Sequence, residues 1–236
     1  MAELPPIKGF IPSTLLDWEG RVAATLFLGG CNFRCGYCHN PELVVNTGEV
    51  APLPWQQIEE RLRGFGGWLD GVCITGGEPT LDPRLPALCQ RLAELGLQVK
   101  LDTNGTLPDM LEALIRQELV HCIAMDVKAP LEAAIYGRIV GVAVDIASLQ
   151  HSVELVRTSG LEYELRSTAG EDFLSLEEIG QLAGHLRGAR KWVLQRFLPD
   201  HCLSEEYRAM SRASDEYLEA ARKIGADCVE QCVVRG

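Results

Sequence analysis

Six apolar, β-rich runs separated by helix-compatible stretches constrain the fold of this chain more than any other feature. They are Val22–Leu28, Val72–Ile74, Leu97–Leu101, Cys122–Met125, Tyr163–Leu165 and Trp192–Leu194. Most are too continuously apolar to expose one face, which marks strands of a parallel sheet covered on both sides. The clearest helical pattern between them is Leu85, Leu88, Leu92 and Leu95, one face of a helix, followed by Gly96 where a left-handed C-terminal cap belongs. Similar faces occur at Leu107–Leu114, at Ile146–Val156 before Gly160, and at Leu176–Leu186, where Ser175 and Glu178 have capping-box spacing. Repeated strand, helix, strand alternation calls for right-handed crossovers, with functional groups gathered at the C-terminal ends of the strands. About six such units fit, fewer than a closed eight-fold barrel needs. The expectation is therefore an α/β chain, an incomplete TIM-type (β/α)6 barrel with mostly parallel strands, as a single domain over residues 1–236; a doubly wound sheet is the alternative. Two looser segments, Asn40–Pro54 and Lys128–Val144, interrupt the alternation as lids, partner-facing loops or plain connections.

Charge narrows the partners. A net charge of -11 without a basic tract speaks against a nucleic-acid backbone as ligand. The N-terminal MAELPPIKGF lacks a charged region followed by an apolar stretch, and no run approaches the roughly 18 apolar residues of a membrane span. A cytosolic protein with no membrane partner is expected. In a reducing compartment the nine cysteines are thiols rather than disulfides. Six of them, Cys73, Cys89, Cys122, Cys202, Cys228 and Cys232, sit mostly among apolar residues, as small hydrophobes do. A second cluster on Cys202, Cys228 and Cys232 is the alternative use of that group.

Cys31, Cys35 and Cys38 stand apart, in the loop Gly29-Gly30-Cys31-Asn32-Phe33-Arg34-Cys35-Gly36-Tyr37-Cys38-His39 after the first run. A cubane cluster has four irons, so three thiolates leave one iron open to an exogenous molecule. Gly36 lets the backbone wrap closely, while Phe33 and Tyr37 limit water near the cluster and tune its potential. The alternative is a structural zinc site of the three cysteines with His39. It would need adjacent Cys38 and His39 to bend back on one ion, and the strand-then-loop setting favours iron.

The spacing CxxxCxxC with an aromatic before the third cysteine resembles the signature of the radical S-adenosylmethionine (SAM) superfamily. Gly76-Gly77-Glu78-Pro79 after the second run resembles that family's GGEP element, which contacts the methionine amino group. Asp102-Thr103-Asn104 and Asp126-Val127-Lys128 resemble segments of glycyl-radical activating enzymes. There the first Asp and Thr and the Asp of DxK help hold a monovalent cation, sodium or potassium, beside the methionine carboxylate, and the Lys assists. The resemblance makes Cys31, Cys35 and Cys38 the ligands of a [4Fe–4S] cluster. It makes Tyr37, Gly76, Gly77, Glu78, Pro79, Asp102, Thr103, Asn104, Asp126 and Lys128 cofactor-binding. Arg166 offers a planar fork for the ligand carboxylate, with an ion pair at the surface as its alternative; Gln195 and His201 are weaker candidates.

Ile7-Lys8-Gly9-Phe10 through Ser13, Leu16-Asp17, and Phe27 to Val44, which includes His39-Asn40-Pro41-Glu42, closely resemble activating proteins of anaerobic ribonucleoside-triphosphate reductase. The resemblance implies that the methionine amine and carboxylate chelate the open iron. An electron from the reduced cluster enters the sulfonium, the S–C5′ bond breaks, and the 5′-deoxyadenosyl radical takes a hydrogen from a glycine of a large partner. A reduced flavodoxin or ferredoxin would supply the electron. Trp18-Glu19 departs from the Tyr-Pro common there, and the cysteine-rich insertion of some activases is missing between His39 and Gly76. Alternatives are activation of another glycyl-radical enzyme such as pyruvate formate-lyase, a small-molecule radical enzyme such as a deazapurine synthase, and a non-catalytic metal scaffold.

Overall fold

Strand and helix alternate as the apolar periodicity requires. The computed structural model describes residues 3–45 and 47–236, and these form two compact units. The first unit runs to Asn32 and adds Glu42–Thr103 and Asp109–Ile123. It holds β1 (Ile7–Thr14), β2 (Ala23–Leu28), most of α1 (Pro41–Val45), α2 (Trp55–Gly64), β3 (Gly71–Gly76), α3 (Leu85–Ala93), β4 (Gln98–Thr103) and most of α4 (Pro108–Arg116). β2 pairs parallel with β3, and β3 with β4. Ala23, Ala24, Leu26, Val72, Ile74, Val99 and Leu101 are fully buried there, each large aliphatic side chain contributing about 1.5–3 kcal/mol by leaving water. α3 buries Leu85, Leu88 and Leu92 and is followed by Gly96 at φ 76°, the left-handed residue the sequence calls for.

The second unit comprises Phe33–Pro41, Asn104–Pro108 and Ala124–Gly236. β5 (Cys122–Asp126) leads into it, followed by α5 (Ala133–Val140), α6 (Ile146–Thr158), β6 (Glu162–Ala169), α7 (Leu176–His185), β7 (Lys191–Arg196), α8 (Glu205–Arg208), α9 (Asp215–Ala226) and β8 (Gln231–Arg235). β6 pairs parallel with β7 and β7 with β8. The Ser175 capping box on α7 is complete: the Ser175 hydroxyl accepts from Glu178 N–H, and Glu178 accepts from Ser175 N–H.

The six sequence runs correspond to β2 through β7; β1 and β8 are additional. β1 pairs antiparallel with β2, and its Gly9, Pro12 and alternating exposure conceal it from a search for continuous apolar runs. Lys128–Val144 is less loose than its sequence suggests, since α5 occupies half of it and ends on Gly141 at φ 73°. In Asn40–Pro54, α1 is followed by a bridge between Ile7 and Leu53; residue 46 lies outside the described residues. Among the described residues no helix is long and apolar enough to cross a membrane.

Candidate functional site

In the first unit, candidate residues collect at the C-terminal ends of β2, β3 and β4. Cys31 follows β2 and is half-buried. Past the last strand pair, Leu28 beside Gly76, Gly77 N–H donates to Leu28 O at 2.9 Å and Glu78 N–H donates to Gly30 O at 2.7 Å. These bonds lock the Gly76-Gly77-Glu78 turn against the residue before Cys31. Glycine is obligatory: a Cβ on Gly77 would lie 1.9 Å from Gly30 O, and Gly76 adopts φ 116°. Glu78 is buried, and its Oε1 accepts from Thr80 N–H at 3.1 Å, from the Thr80 hydroxyl and from the Thr103 hydroxyl at 2.7 Å. Pro79 opens the one-turn 3-10 segment Pro79–Leu81 and is buried. Thus Glu78 and Thr103, far apart in sequence, are brought together.

Asp102 is differently engaged. Its Oδ1 accepts from Lys100 Nζ at 2.9 Å, and the same ammonium donates to Asp17 O at 2.6 Å. Asp17 Oδ2 in turn accepts from the Thr25 hydroxyl at 2.6 Å. Lys100 and Asp17 are not among the sequence candidates; the signal that could have found them is a charged lysine inside the β-rich run Leu97–Leu101. Trp18, the departure from Tyr-Pro, is buried against Ala23 and Cys122, with the Arg21 guanidinium 4.9 Å from its ring centre.

In the second unit, Cys38 N–H donates to Cys35 O at 3.1 Å, which curls the loop, and Asn40 N–H donates to Cys38 Sγ at 3.4 Å. Cys35 is buried and Cys38 half-buried. Phe33 and Tyr37 are buried, Phe33 beside Tyr136 and Tyr37 stacked on Phe173 at 5.5 Å. The Tyr37 hydroxyl is buried with no hydrogen-bond partner among the described residues.

One chain of charge joins four candidates of that unit. Lys128 Nζ lies 5.8 Å from the Tyr37 ring centre and 3.1 Å from Asp126 Oδ2, while Arg166 Nε donates to Asp126 Oδ1 at 2.8 Å. Arg166 is buried and Asp126 half-buried, so the pair does not lie at the open surface. Burial works against the Lys128 ammonium, yet Asp126 and the surrounding tyrosine and cysteine groups outweigh it and hold its pKa well above the ordinary lysine value. Burial pushes the Tyr37 phenol well above its own. Asn104 Oδ1 accepts from Thr106 N–H and hydroxyl. Gln195 lies in β7, and His201 is exposed at φ 62°.

The remaining thiols lie in separate settings. None of the nine cysteines is in a disulfide. Cys73, Cys89 and Cys122 are core residues. Cys228 Sγ accepts from Arg187 Nη2 at 3.1 Å, Cys232 is buried, and Cys202 Sγ donates to Leu198 O at 3.4 Å. His39, the fourth ligand of the zinc alternative, is exposed and donates through Nε2 to Leu198 O at 3.0 Å. Among the described residues no three His, Cys, Asp or Glu side chains are gathered around a point that one ion would occupy. In the second unit, two thiols on a curled stretch, Cys35 and Cys38, with a backbone N–H on the Cys38 sulfur, suit an iron–sulfur cluster.

Solved structures share the fold. SuiB of Streptococcus suis bound to its precursor peptide SuiA matches with a TM-score of 0.66 at 16% identity, covering 87% of this chain and 46% of SuiB. TYW1 with a lysine-pyruvate adduct matches with a TM-score of 0.61 at 15% identity, covering 87% and 73%. Together with the strand pairing they define the class: α/β, an incomplete TIM-type barrel with mostly parallel strands. The Radical SAM superfamily model matches residues 25–170. The chain belongs to the radical SAM superfamily and is an enzyme. A protein of Methanocaldococcus jannaschii provisionally named a glycyl-radical enzyme activating enzyme is 27% identical over 97% of this chain and 95% of its own length. A 7-carboxy-7-deazaguanine synthase of Methanopyrus kandleri is 28% identical over 70% of this chain and 80% of that protein.

Proposed function

We propose that this chain is a glycyl-radical enzyme activating enzyme whose partner is an anaerobic ribonucleoside-triphosphate reductase. Both units would serve as one radical SAM domain over residues 1–236, acting in the cytoplasm with reduced flavodoxin or ferredoxin as electron donor. The observation that carries the chemistry is the Glu78 N–H bond to Gly30 O, 2.7 Å, which fixes the GGEP turn to the start of the cysteine loop. Similarity to the Methanocaldococcus jannaschii relative along nearly the whole chain supports the activating role.

In this reading Cys31, Cys35 and Cys38 hold a [4Fe–4S] cluster. Such a cluster would supply the electron for reductive cleavage of SAM, the chemistry that hydrogen abstraction from a target glycine would need. The chain's residues bind, orient and exclude water. Gly76 and Gly77 present backbone groups to the methionine amine, and Glu78, held by Thr80 and Thr103, adds a fixed negative charge. Asp126 sets Lys128 and Arg166 as two cations for the methionine carboxylate. Asp102, Thr103 and Asp126 are also the candidate ligands of a sodium or potassium ion. Buried Phe33 and Tyr37 keep the loop dry.

Electron paramagnetic resonance with the candidate reductase tests the partner: a glycyl doublet after turnover supports it, and turnover of SAM without a doublet refutes it. The similarity to a 7-carboxy-7-deazaguanine synthase favours a second reading, radical chemistry on a small molecule. A doublet on a protein partner argues against that reading.

A further inference from the structure

The segment after β7 returns to the cysteine loop and is anchored to it at several points. Leu198 O accepts from His39 Nε2 at 3.0 Å and from Cys202 Sγ at 3.4 Å. Ser204 N–H donates to Gly36 O at 2.9 Å. In α8, which follows these anchors, the Tyr207 ring closes an aromatic cluster. It lies 5.9 Å from Tyr37, 5.3 Å from Phe173 and 6.1 Å from Phe197, centre to centre. The ring sits so close that a Cβ on Gly36 would lie 2.3 Å from it. The glycine between Cys35 and Tyr37 therefore makes room for a ring as well as for a curled backbone.

We propose that residues 198–208 form a strap whose Tyr207 ring shields the cysteine loop from water, and that this shield sets the reduction potential and oxygen sensitivity of the cluster the loop holds. The proposal rests on the cluster reading above. Three thiolates give such a cluster a net negative charge that grows on reduction, and a dry, low-dielectric setting opposes added charge. Shielding therefore lowers the potential and makes the reduced form the stronger donor that a sulfonium requires. The Asn40 N–H on Cys38 Sγ acts in the opposite sense by stabilising negative charge on sulfur. Tyr207 is a positioning and shielding residue, acting through the ring rather than the hydroxyl.

The test uses full-length protein reconstituted anaerobically with iron and sulfide, as wild type, Tyr207→Phe, Tyr207→Ala and Ser204→Pro. Ser204 has φ −93°, near the proline range, so that change deletes the N–H donor to Gly36, together with the hydroxyl that accepts from Glu206 N–H, and leaves every ring in the chain. Two readouts besides turnover are the midpoint potential, titrated by electron paramagnetic resonance, and the rate at which iron–sulfur absorption bleaches in air. Tyr207→Ala should shift the potential positive and bleach several-fold faster, Tyr207→Phe should follow wild type, and Ser204→Pro should move as the alanine variant does. Tyr207→Ala that titrates and bleaches like wild type overturns the strap. Should that variant take up no iron, Ser204→Pro decides by the same criterion. A wild type that takes up no cluster overturns the cluster reading, and the strap with it.

Discussion

Lys100 Nζ stands 2.9 Å from Asp102 Oδ1 in β4, with the lysine side chain 4% exposed and the aspartate 14%. Two residues apart on one strand, they share a face. The resemblance assigns Asp102 to a monovalent cation; the chain places its own ammonium against that carboxylate and ties it to Asp17 O as well. A buried ion pair adds little net stability over apolar residues, but removing one partner leaves the other charged and poorly solvated.

Lys100→Met should therefore destabilise the fold by about 3 kcal/mol, and adding Asp102→Asn should restore part of the loss. A double-mutant cycle by denaturant unfolding measures the coupling. Strictly additive single changes would contradict the pairing.

Glu78 makes three hydrogen bonds through one oxygen. Glu78→Gln retains an acceptor and the shape of the side chain but removes the negative charge. SAM affinity should fall about tenfold, the scale of one charged hydrogen bond, with thermal stability little changed. Equilibrium titration of the reconstituted protein gives the answer, and unchanged affinity would exclude Glu78 from the methionine site.

Much of this arrangement is legible in the sequence, for identifiable reasons. Most of β2 to β7 are continuous apolar runs because both faces are covered, and the α3 and α7 boundaries are marked by Gly96 and by Ser175 with Glu178. β8 is short and mixed, with Arg235 paired to Glu164, so its apolar pattern is too brief to register. α5 escapes notice because its stop signal, Gly141, lies in a segment whose helix has no side-chain cap at its start. At the site, motif spacing marks Cys31, Glu78 and Asp126, whereas Lys100, Asp17 and Tyr207 are defined by contacts over long sequence separations that no local pattern encodes.

Gly77→Ala should cost about 2 kcal/mol or more, because its Cβ would meet backbone, Gly30 O, rather than a movable side chain. Gly64→Ala at the end of α2 is the control: nothing lies within 4 Å of its Cβ, and the change should be neutral or slightly stabilising. Thermal unfolding of both variants checks the contrast, and equal stability of the two would remove the close approach from the account.

Burial pushes the Cys89 thiol up to about 12 and Cys232 to about 11. In the unfolded chain a thiol titrates near ~8.5. The folded state thus favours the protonated form, so the associated stability is complete below ~8.5 and declines at about 1.4 kcal/mol per pH unit per thiol until the folded value is reached. Cys89→Ala should flatten the alkaline fall in unfolding free energy by one such contribution. A slope identical to wild type would show that Cys89 is not held as a buried thiol.

Radical chemistry at Cys31, Cys35 and Cys38 is tested most directly by anaerobic reconstitution followed by a single product measurement. Wild type should show iron–sulfur absorption and release 5′-deoxyadenosine from SAM only when a reductant is present, while Cys35→Ala keeps a folded sheet and releases none. Product from Cys35→Ala, or none from fully reconstituted wild type, would contradict the account.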